Sequence, residues 1–417
     1  MLQNSIPIRY MYRLTATHTL PCDIELPASK SISNRALIIA ALAQSAHLLH
    51  GLATCDDTQR LIEALQNKSH TIDINNAGTA MRFLTAYFSN TPYSVTLTGS
   101  QRMRQRPISP LVDALRQIGA HITYCNQEGY PPLHIEGDML QGGAVTISGH
   151  ISSQFISALL LIAPYTTQGI HITLQGDVLS RPYIDMTIAM MQHFGAEVSC
   201  HHNTITVAPG TYKAIPYDIE ADYSAASYWY QIATLSNNTF RLKGLQPHSI
   251  QGDARVAKYF ALWGVNTTFD NHGAVITPSA TTHACDTLHL CLKDEPDLAQ
   301  TIVMTCALRG QHFCIEGLDN LRIKETDRIE ALINEAGKLG YRFTQPREGC
   351  LAWDGTRCNN NNPIVIDTHN DHRMAMAFAP AAICFDSIYI NNPEVVVKSY
   401  PSFWEDLKKA GFNITHV

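Results

Sequence analysis

The sequence has little charge and contains no long apolar run or low-complexity tract. Only 16% of its 417 residues are charged, whereas 45% are hydrophobic. Disordered chains combine low hydrophobicity with high net charge, so extensive disorder is not expected. No run reaches 18 apolar residues, and no membrane-spanning helix is predicted. A chain of this length exceeds what one hydrophobic core usually serves, so two or more domains are expected.

Motifs for nucleotide and metal chemistry are also missing. The sequence has no Walker loop and no glycine-rich dinucleotide fingerprint, and it has no H-E-x-x-H or comparable zinc cluster. Its 11 cysteines are scattered and include no C-x-x-C pair. We therefore expect reduced thiols in the core rather than a disulfide framework or a zinc site. These absences point away from triphosphate, dinucleotide and zinc chemistry.

Targeting signals and an overall basic charge are absent as well. Residues 1–19 lack the apolar core of a signal peptide and the composition of a transit peptide. The formal net charge of −6 does not indicate a surface for nucleic acid. We expect a cytoplasmic protein of bacterial type that binds neither membrane nor nucleic acid. If it binds an anion, its cations must be concentrated in particular places.

One pattern recurs along the chain: an amphipathic helix, a glycine, a short strand, a turn and a second strand. Glycine suits the helix end because it accepts the left-handed backbone conformation at low cost. The copies lie at 111–135, 186–207, 255–276, 329–353 and 403–417, with a shortened one starting at 58–65. Their spacing of roughly 70 residues is too long for a solenoid repeat and suits a compact subdomain. The pattern predicts six α/β units; chance recurrence of a common unit is the alternative.

Several predicted helix starts combine small or hydroxyl residues with cations. A helix N-terminus offers free N–H groups and the positive end of the dipole to an anion. Lys30 and Arg35 flank one such start, and Gly78 with Arg82 marks another. The segments 152–154 and 180–183 place hydroxyls and an amide at two more, where they could hold a polyol phosphate. Ordinary helix capping is the alternative for each motif taken alone.

Ionic residues are densest in three further segments. Residues 102–106 hold three arginines, whose forked side chains suit carboxylates and phosphates. Glu325 lies between Lys324 and Arg328, an arrangement that can create a proton donor controlled by its neighbours. His372 and Arg373 fall in a first helical turn, where the dipole disfavours cations unless an anion lies between them.

Together these segments closely resemble the EPSP synthase family, in the family's order and over essentially the whole chain. The matching segments are SKSISNRA at 29–36, NAGTAMR at 76–82, RPI at 106–108, SSQF at 152–155, RPYIDMT at 181–187, PD at 296–297, KETDR at 324–328, NDHRMAM at 370–376 and Lys398. KETDR and NDHRMAM are the most specific. The resemblance implies an α/β (α+β) fold of two domains, each with three βαβαββ-type units, around an interdomain cleft.

The resemblance also implies domain boundaries and an activity. One domain would span 29–219 and mainly bind shikimate 3-phosphate. The other would combine 1–28 with 220–417 and supply the phosphoenolpyruvate site and the catalytic carboxylates. The reaction would transfer the enolpyruvyl group of phosphoenolpyruvate to the 5-hydroxyl of shikimate 3-phosphate, releasing phosphate by addition and elimination on the route to chorismate and aromatic amino acids. No metal or organic cofactor is implied, and a monomer is expected.

Residue roles are carried over by position. The residues that resemble shikimate 3-phosphate contacts are Lys30, Ser31, Arg35, Ser152, Ser153, Gln154, Ser180, Tyr183, Asp297, Asn320 and Lys324. Those that resemble phosphoenolpyruvate contacts are Lys30, Gly78, Arg106, Gln154, Arg328, Arg373 and Lys398. Asp297 resembles the group that accepts the hydroxyl proton, and Glu325 resembles the proton donor to the phosphoenolpyruvate carbon. Lys30 and His372 would assist, and partial burial should bring the Glu325 pKa towards working pH.

Some positions depart from the family, and two alternatives stay open. Phe83 stands where many members have Pro, beside the expected phosphoenolpyruvate and glyphosate pocket. A UDP-N-acetylglucosamine enolpyruvyl transferase would share the fold, but it typically carries a reactive cysteine, and none occurs between Cys55 and Cys125. A non-catalytic phosphosugar-binding protein is the other alternative, although such a protein should have lost Asp297 or Glu325.

Overall fold

Helices and strands alternate throughout the computed structural model, which describes residues 10–16, 18–67, 69–150, 152–279 and 286–417. The helices are α1 (Lys30–Leu42), α2 (Asp56–Gln66), α3 (Gly78–Ser89), α4 (Ser109–Gln117), α5 (Ser153–Ile162), α6 (Arg181–His193), α7 (Tyr223–Ser236), α8 (Val256–Ala261), α9 (Ala299–Arg309), α10 (Arg328–Lys338), α11 (His372–Phe378) and α12 (Phe403–Lys409). The strands are β1 (Met11–Thr15), β2 (Cys22–Glu25), β3 (Leu49–His50), β4 (Thr71–Asp73), β5 (Ser94–Thr98), β6 (His121–Tyr124), β7 (Leu133–Glu136), β8 (Gly143–Ser148), β9 (Ile170–Gln175), β10 (Val198–His201), β11 (Thr204–Val207), β12 (Tyr217–Asp218), β13 (Phe240–Lys243), β14 (Val265–Asp270), β15 (Gly273–Pro278), β16 (Thr287–Cys291), β17 (His312–Glu316), β18 (Leu351–Trp353), β19 (Val365–Asp367), β20 (Ile388–Asn391) and β21 (Asn413–His416).

Two separate hydrophobic cores divide the described residues. One core gathers buried side chains between Ile32 and Tyr212. The other combines Leu14, Ile24 and Leu26 with residues from Ala221 to Phe412. The chain therefore leaves the second core after β2, builds the whole of the first, and then returns, as in the two-domain fold that the resemblance implied.

Within the described ranges, six sheets cover these cores, three over each. The sheet β4-β5-β7-β6 is representative: β4 and β5 are parallel, and the hairpin β6–β7 adds antiparallel to β5. Helix α3 connects the parallel strands and α4 precedes the hairpin, which makes a βαβαββ unit. The sheets β8-β9-β11-β10 and β2-β13-β15-β14 repeat that order. The prediction of six α/β units is confirmed.

Two of the units are short: the first, as the sequence pattern predicted, and the one at 329–353, which the pattern predicted to be complete. The first pairs only β3 with β12, and α2 runs on into β4, which belongs to the next sheet. The copy at 329–353 supplies only β18 as a regular strand. Tyr341 and Thr344 form isolated bridges to Arg357 and Ala352 instead of the predicted first strand.

The last unit is completed by a strand from near the start of the sequence. Its sheet order is β19-β20-β1-β21, so β1 lies between two strands almost 400 residues further on. Leu14 pairs with Ile388 on one side and with Ile414 on the other. The sequence pattern showed only one strand after Gly411, because pairing at such a separation leaves no local signal.

The cysteines are less uniformly placed than expected. Cys55, Cys306 and Cys350 are buried. The exposed ones are Cys125, Cys200, Cys291, Cys358 and Cys384. The prediction of core positions is therefore wrong for these five, and Cys285 lies outside the described residues.

The position of β1 predicts a specific stability defect. Leu14 is fully buried at the centre of the last sheet, so Leu14→Ala should leave a cavity and lower the free energy of unfolding by about 2–5 kcal/mol. Arg13→Ala, on the exposed face of the same strand, should change it by less than about 0.5 kcal/mol. Urea denaturation of both variants measures this, and equal losses would show that β1 is not a core strand.

Candidate active site

One cavity lies between the two cores and takes its walls from both. It is lined by first-turn residues of α1, α3, α5, α10 and α11 and by the loops that precede α6 and α10. The predicted site residues in its lining are Lys30, Ser31, Arg35, Gly78, Arg106, Ser152, Ser153, Gln154, Ser180, Tyr183, Asp297, Asn320, Lys324, Glu325, Arg328, His372 and Arg373. Lys398 lies next to them, with its Nζ 3.1 Å from Oε1 of Glu325. Asp57 and Thr79 also line the cavity, and the sequence analysis did not select them.

Side-chain caps decide where these helices begin. Ser29 accepts a hydrogen bond from the Ile32 amide at 3.4 Å, and Ser152 accepts one from the Gln154 amide at 3.4 Å. Asp371 accepts one from the Arg373 amide at 2.9 Å. Each cap satisfies one N–H group that the first turn leaves without a helical partner. The residues that follow the caps therefore face the cavity from the start of a helix.

Arg328 is the central charge of the site. Its side chain is only 1% exposed, and it donates hydrogen bonds to three carboxylates. Nη1 contacts Asp297 Oδ1 at 3.1 Å, Nη2 contacts Glu325 Oε2 at 3.0 Å, and Nε contacts Asp371 Oδ2 at 2.7 Å. A planar guanidinium presents its donors in a fixed fork. The two proposed catalytic carboxylates are therefore held at a defined separation by one side chain.

Asp297 is surrounded by donors. Besides Arg328, it meets Nη2 of Arg373 at 2.9 Å, and the hydroxyl of Tyr183 donates to its Oδ2 at 3.3 Å. Burial raises the pKa of Asp297, but Arg373, Lys324 and Arg328 outweigh burial, and the pKa lies well below its usual value. Asp297 is consequently a carboxylate at any pH of practical interest.

Glu325 corrects one expectation from the sequence. Burial raises the pKa of Glu325, but Lys398, Arg328 and Arg106 lower it by more, so the net pKa lies well below the usual range. The prediction that burial would bring the Glu325 pKa towards working pH is therefore wrong for the protein without bound substrates. The cations lower the Glu325 pKa by more than burial raises it because they are buried with Glu325, and Coulomb interactions between buried charges are strong.

Arg106 has no carboxylate partner among the described residues. It is 5% exposed, and its Nε and Nη1 have no hydrogen-bond partner. Its guanidinium lies against Gly78, where an added Cβ would stand 2.6 Å from Nη1. Only glycine allows this approach. Arg106 is therefore a cation that a buried anion could satisfy.

Lys30 and His372 differ in charge: the first is positively charged and the second is neutral. Burial lowers the pKa of Lys30, but Asp57, whose Oδ2 lies 3.1 Å from Nζ, raises it above the usual value. Burial lowers the pKa of His372 well below its usual value, assisted by Lys30 and Arg373. Both ring nitrogens of His372 are buried without a hydrogen-bond partner. Lys30 is thus a fixed cation and His372 a neutral imidazole.

The remaining wall is polar but uncharged. Gln154 Nε2 donates to Thr79 Oγ1 at 3.2 Å within the first half of the molecule. Asn320 Nδ2 donates to Ser180 Oγ at 3.4 Å and so joins the two halves. Hydroxyl and amide groups of this kind match the hydroxyls and phosphate of a sugar-like ligand.

Arg35 lines the cavity and is fixed by hydrogen bonds within the first half, and Phe83 packs behind it. Arg35 donates to Thr187 Oγ1, Ser157 Oγ and the carbonyl of Tyr183, and burial lowers its pKa to about 10. Its guanidinium lies 5.6 Å from the centroid of the Phe83 ring. Phe83 itself is 1% exposed and belongs to the first core, so the departure noted in the sequence lies behind the cavity and outside its lining.

Arg102 makes a contact between the two halves that the sequence analysis did not assign. Its Nε donates to the Glu325 carbonyl at 3.1 Å, and its Nη2 donates to the Lys324 carbonyl at 3.0 Å. The three-arginine cluster was the available signal, but the sequence could not tell which arginine reaches the KETDR segment. Arg102 therefore fixes the backbone of Lys324 and Glu325 relative to the first half of the molecule.

Comparison with known proteins agrees with this geometry. A family model described as EPSP synthase (3-phosphoshikimate 1-carboxyvinyltransferase) matches residues 14–71 and 66–407. The chain belongs to the EPSP synthase family. It is 51% identical to the 3-phosphoshikimate 1-carboxyvinyltransferase of Bacteroides fragilis, over 97% of this chain and 98% of that protein. It is 36% identical to the one from Methanospirillum hungatei, over 92% and 94% of the two chains.

The fold is also shared with a solved EPSP synthase structure. The enzyme from Acinetobacter baumannii superposes with a TM-score of 0.74 at 20% identity, covering 97% of this chain and 100% of that one. Within the part of the chain that the structure describes, no helix is long and apolar enough to cross a bilayer. In the same part, no cluster of three or more His, Cys, Asp or Glu side chains is arranged to hold a metal ion.

The Arg102 contact predicts a local effect on backbone dynamics. Hydrogen bonds from a charged donor are worth about 1.5–3 kcal/mol, so Arg102→Ala should speed amide hydrogen exchange in residues 319–327 by about 10- to 100-fold. Arg104 is the matched control, because its Nε donates to Gly99 within the same half of the molecule. Mass spectrometry of exchange in both variants measures this. An equal effect of Arg104→Ala, or none for Arg102→Ala, would remove the assigned role.

Proposed function

We propose that the cavity transfers the enolpyruvyl group of phosphoenolpyruvate to the 5-hydroxyl of shikimate 3-phosphate, the activity named for its curated relatives. The observation that carries this proposal is the pair Asp297 and Glu325, held by one guanidinium and surrounded by buried cations. The reaction needs a base at a hydroxyl, an acid at a methylene carbon and cations for two phosphates and a carboxylate. The residues to which we assign these roles line one cavity or lie next to it.

The two substrates are assigned to different walls. The sugar phosphate is placed against the hydroxyl and amide wall, with Ser31, Arg35, Ser152, Ser153, Ser180, Tyr183, Asn320 and Lys324 as its contacts. Phosphoenolpyruvate is placed against the cations Lys30, Arg106, Arg328, Arg373 and Lys398, with the backbone of Gly78. Gln154 reaches the region between them. The unpartnered N–H groups of Arg106 support the second assignment, since a buried guanidinium without an anion is costly.

Asp297 and Glu325 divide the proton transfers between them. Asp297 accepts the proton of the 5-hydroxyl group while the hydroxyl oxygen forms a bond to C2 of phosphoenolpyruvate. Glu325 donates a proton to the methylene carbon C3, which gives a tetrahedral intermediate. Return of a proton from C3 to Glu325 and cleavage of the bond between C2 and the phosphate oxygen then form the product and release phosphate. Lys30, fixed as a cation, offsets the developing negative charge, and neutral His372 lines the cavity beside it.

The negative charge of the substrates raises the pKa of Glu325 and so allows it to take up a proton. The chain's own cations hold its pKa too low for an acid, but two phosphates and a carboxylate would offset Arg106, Arg328 and Lys398. Anions in the same cavity raise the pKa of a neighbouring carboxyl group. Glu325 therefore becomes protonated when the substrates bind, which also brings C3 of phosphoenolpyruvate into the cavity.

The domain boundaries and the assembly belong to the same proposal. We place one domain at about 29–219 and the other at 1–28 with 220–417; the two hydrophobic cores support this division. The chain would act on small-molecule substrates as a monomer. A cytoplasmic location, with no cofactor, nucleic acid or membrane involved, stays a prediction from the sequence.

A phosphate-release assay tests the proposal against both alternatives. The chain should release phosphate only when phosphoenolpyruvate and shikimate 3-phosphate are both present. Release with UDP-N-acetylglucosamine in place of shikimate 3-phosphate would identify the other enolpyruvyl transferase. Binding of shikimate 3-phosphate without any release would favour the non-catalytic protein.

Glu325→Gln should lower kcat by about 10²- to 10⁴-fold, the usual contribution of a general acid, with little change in substrate affinity. Calorimetry in buffers of different ionisation enthalpy should show proton uptake when substrates bind to the wild type. The uptake should be absent in Glu325→Gln. Glu330→Gln, at an exposed position in the first turn of the same region, is the control and should behave as wild type. A near-normal kcat for Glu325→Gln would exclude it as the acid.

A further inference from the structure

Asp253 is a buried carboxyl group to which the reaction described above gives no role. It lies in a short 3-10 helix, Gly252–Arg255, and is 3% exposed. Among the described residues, it forms no ion pair with a Lys or Arg side chain. Its contacts are the hydroxyl of Ser224, which donates to Oδ2, and the hydroxyl of Tyr183, 3.3 Å from Oδ1. A buried carboxylate without a cation is unfavourable, so this group is expected to hold a proton readily.

Tyr183 connects this carboxyl group to the proposed base. Its hydroxyl lies 3.3 Å from Asp253 Oδ1 and 3.3 Å from Asp297 Oδ2. Burial raises the pKa of Tyr183 well above its usual value, and Asp253 and Asp297 add to the effect, so the phenol keeps its proton. One phenol proton cannot serve two carboxylates at once. The arrangement is satisfied when one of the two acids is protonated and donates to the Tyr183 oxygen.

The two acids differ sharply in how well they hold a proton. Asp297 is ion-paired with Arg328 and Arg373, and both favour its charged form. Asp253 has only hydroxyl partners. Burial raises its pKa most, and Asp297 and Asp222 raise it further, whereas the Ser224 hydrogen bond and Arg373 lower it; the net pKa is about 7. A proton that reaches this pair is therefore more stable on Asp253 than on Asp297.

We propose that Asp253 is a positioning residue for the proton of the 5-hydroxyl, acting through Tyr183 on Asp297. The inference rests on the proposed function. As the substrate O–H bond breaks and the oxygen bonds to C2, Asp297 takes the proton. Asp297 then passes a proton to the Tyr183 oxygen while the Tyr183 proton moves to Asp253. No electrons are exchanged. When phosphate leaves C2, the two transfers run in reverse, from Asp253 through Tyr183 to Asp297, and the proton leaves on the phosphate, which restores the Asp253 carboxylate.

This relay answers a difficulty in the mechanism. A base whose pKa lies far below its usual range is weak, because the cations that stabilise its charge also oppose its protonation. A second acceptor at hydrogen-bond distance from a shared phenol lets Asp297 take the proton without having to keep it. Asp253 must be ionised before each turnover, so kcat should rise with pH through the ionisation of Asp253.

The pH dependence of kcat for wild type, Asp253→Asn and Ser224→Ala tests the relay. The wild type should show an acid limb near the Asp253 pKa of about 7. Asp253→Asn, which keeps the size of the side chain, should lose this limb and lower kcat by about 10²-fold at high pH. Ser224→Ala removes a hydrogen bond that favours the charged form, so it should keep the limb and move it to higher pH.

Each other outcome counts against the relay. An unchanged kcat for Asp253→Asn would mean that Asp253 only supports the fold. The same conclusion would follow if kcat fell equally at all pH values and the acid limb of the pH profile remained. If Asp253→Asn does not fold, Tyr183→Phe breaks the same chain and should also lose the limb; a retained limb there overturns the proposal. Absence of phosphate release by the wild type would instead overturn the proposed function, and the relay with it.

Discussion

The buried guanidinium of Arg328 is the interaction on which the site depends. Three carboxylates surround it, those of Asp297, Glu325 and Asp371. Removing one partner of a buried ion pair typically costs about 3–5 kcal/mol, because a charge is left uncompensated. Each carboxylate comes from a different segment of the second core, so the arrangement is possible only when these segments are packed together. Arg328 thereby fixes the distance between the proposed base and the proposed acid.

Around this centre, the molecule concentrates positive charge in a chain of net charge −6. Several helices begin at the cavity, where their N–H groups and dipoles favour anions. Some cations are neutralised internally, as Lys30 is by Asp57, whereas Arg106 has no carboxylate partner within the described part of the chain. This incomplete neutralisation suits a cavity whose ligands carry the missing negative charge. It also explains why the pKa of Glu325 lies well below its usual value.

Connections between the two halves make the site depend on their relative placement. Arg102 bonds to the carbonyls of Lys324 and Glu325, and Lys398 reaches the carbonyl of Asn76 at 2.9 Å. Asn320 meets Ser180 across the same boundary. Since loop backbone is otherwise weakly constrained, these contacts position the KETDR segment relative to the helix starts opposite it. The proposed acid, the cations and the polar wall reach this arrangement only when the two halves are together.

Much of this could be predicted from the sequence because its signals are local. Helix–glycine–strand junctions recur with a regular spacing, and cations such as Lys324 and Arg328 flank Glu325 within a few residues. Other features depend on contacts between distant segments. Strand β1 completes a sheet with strands from the last 30 residues, and Tyr183 meets Asp253 and Asp297 only after folding. The sequence by itself determined which groups carry charge and where helices start. Tertiary structure alone decided which charges are buried together, because burial and Coulomb interactions depend on distance in space rather than along the chain.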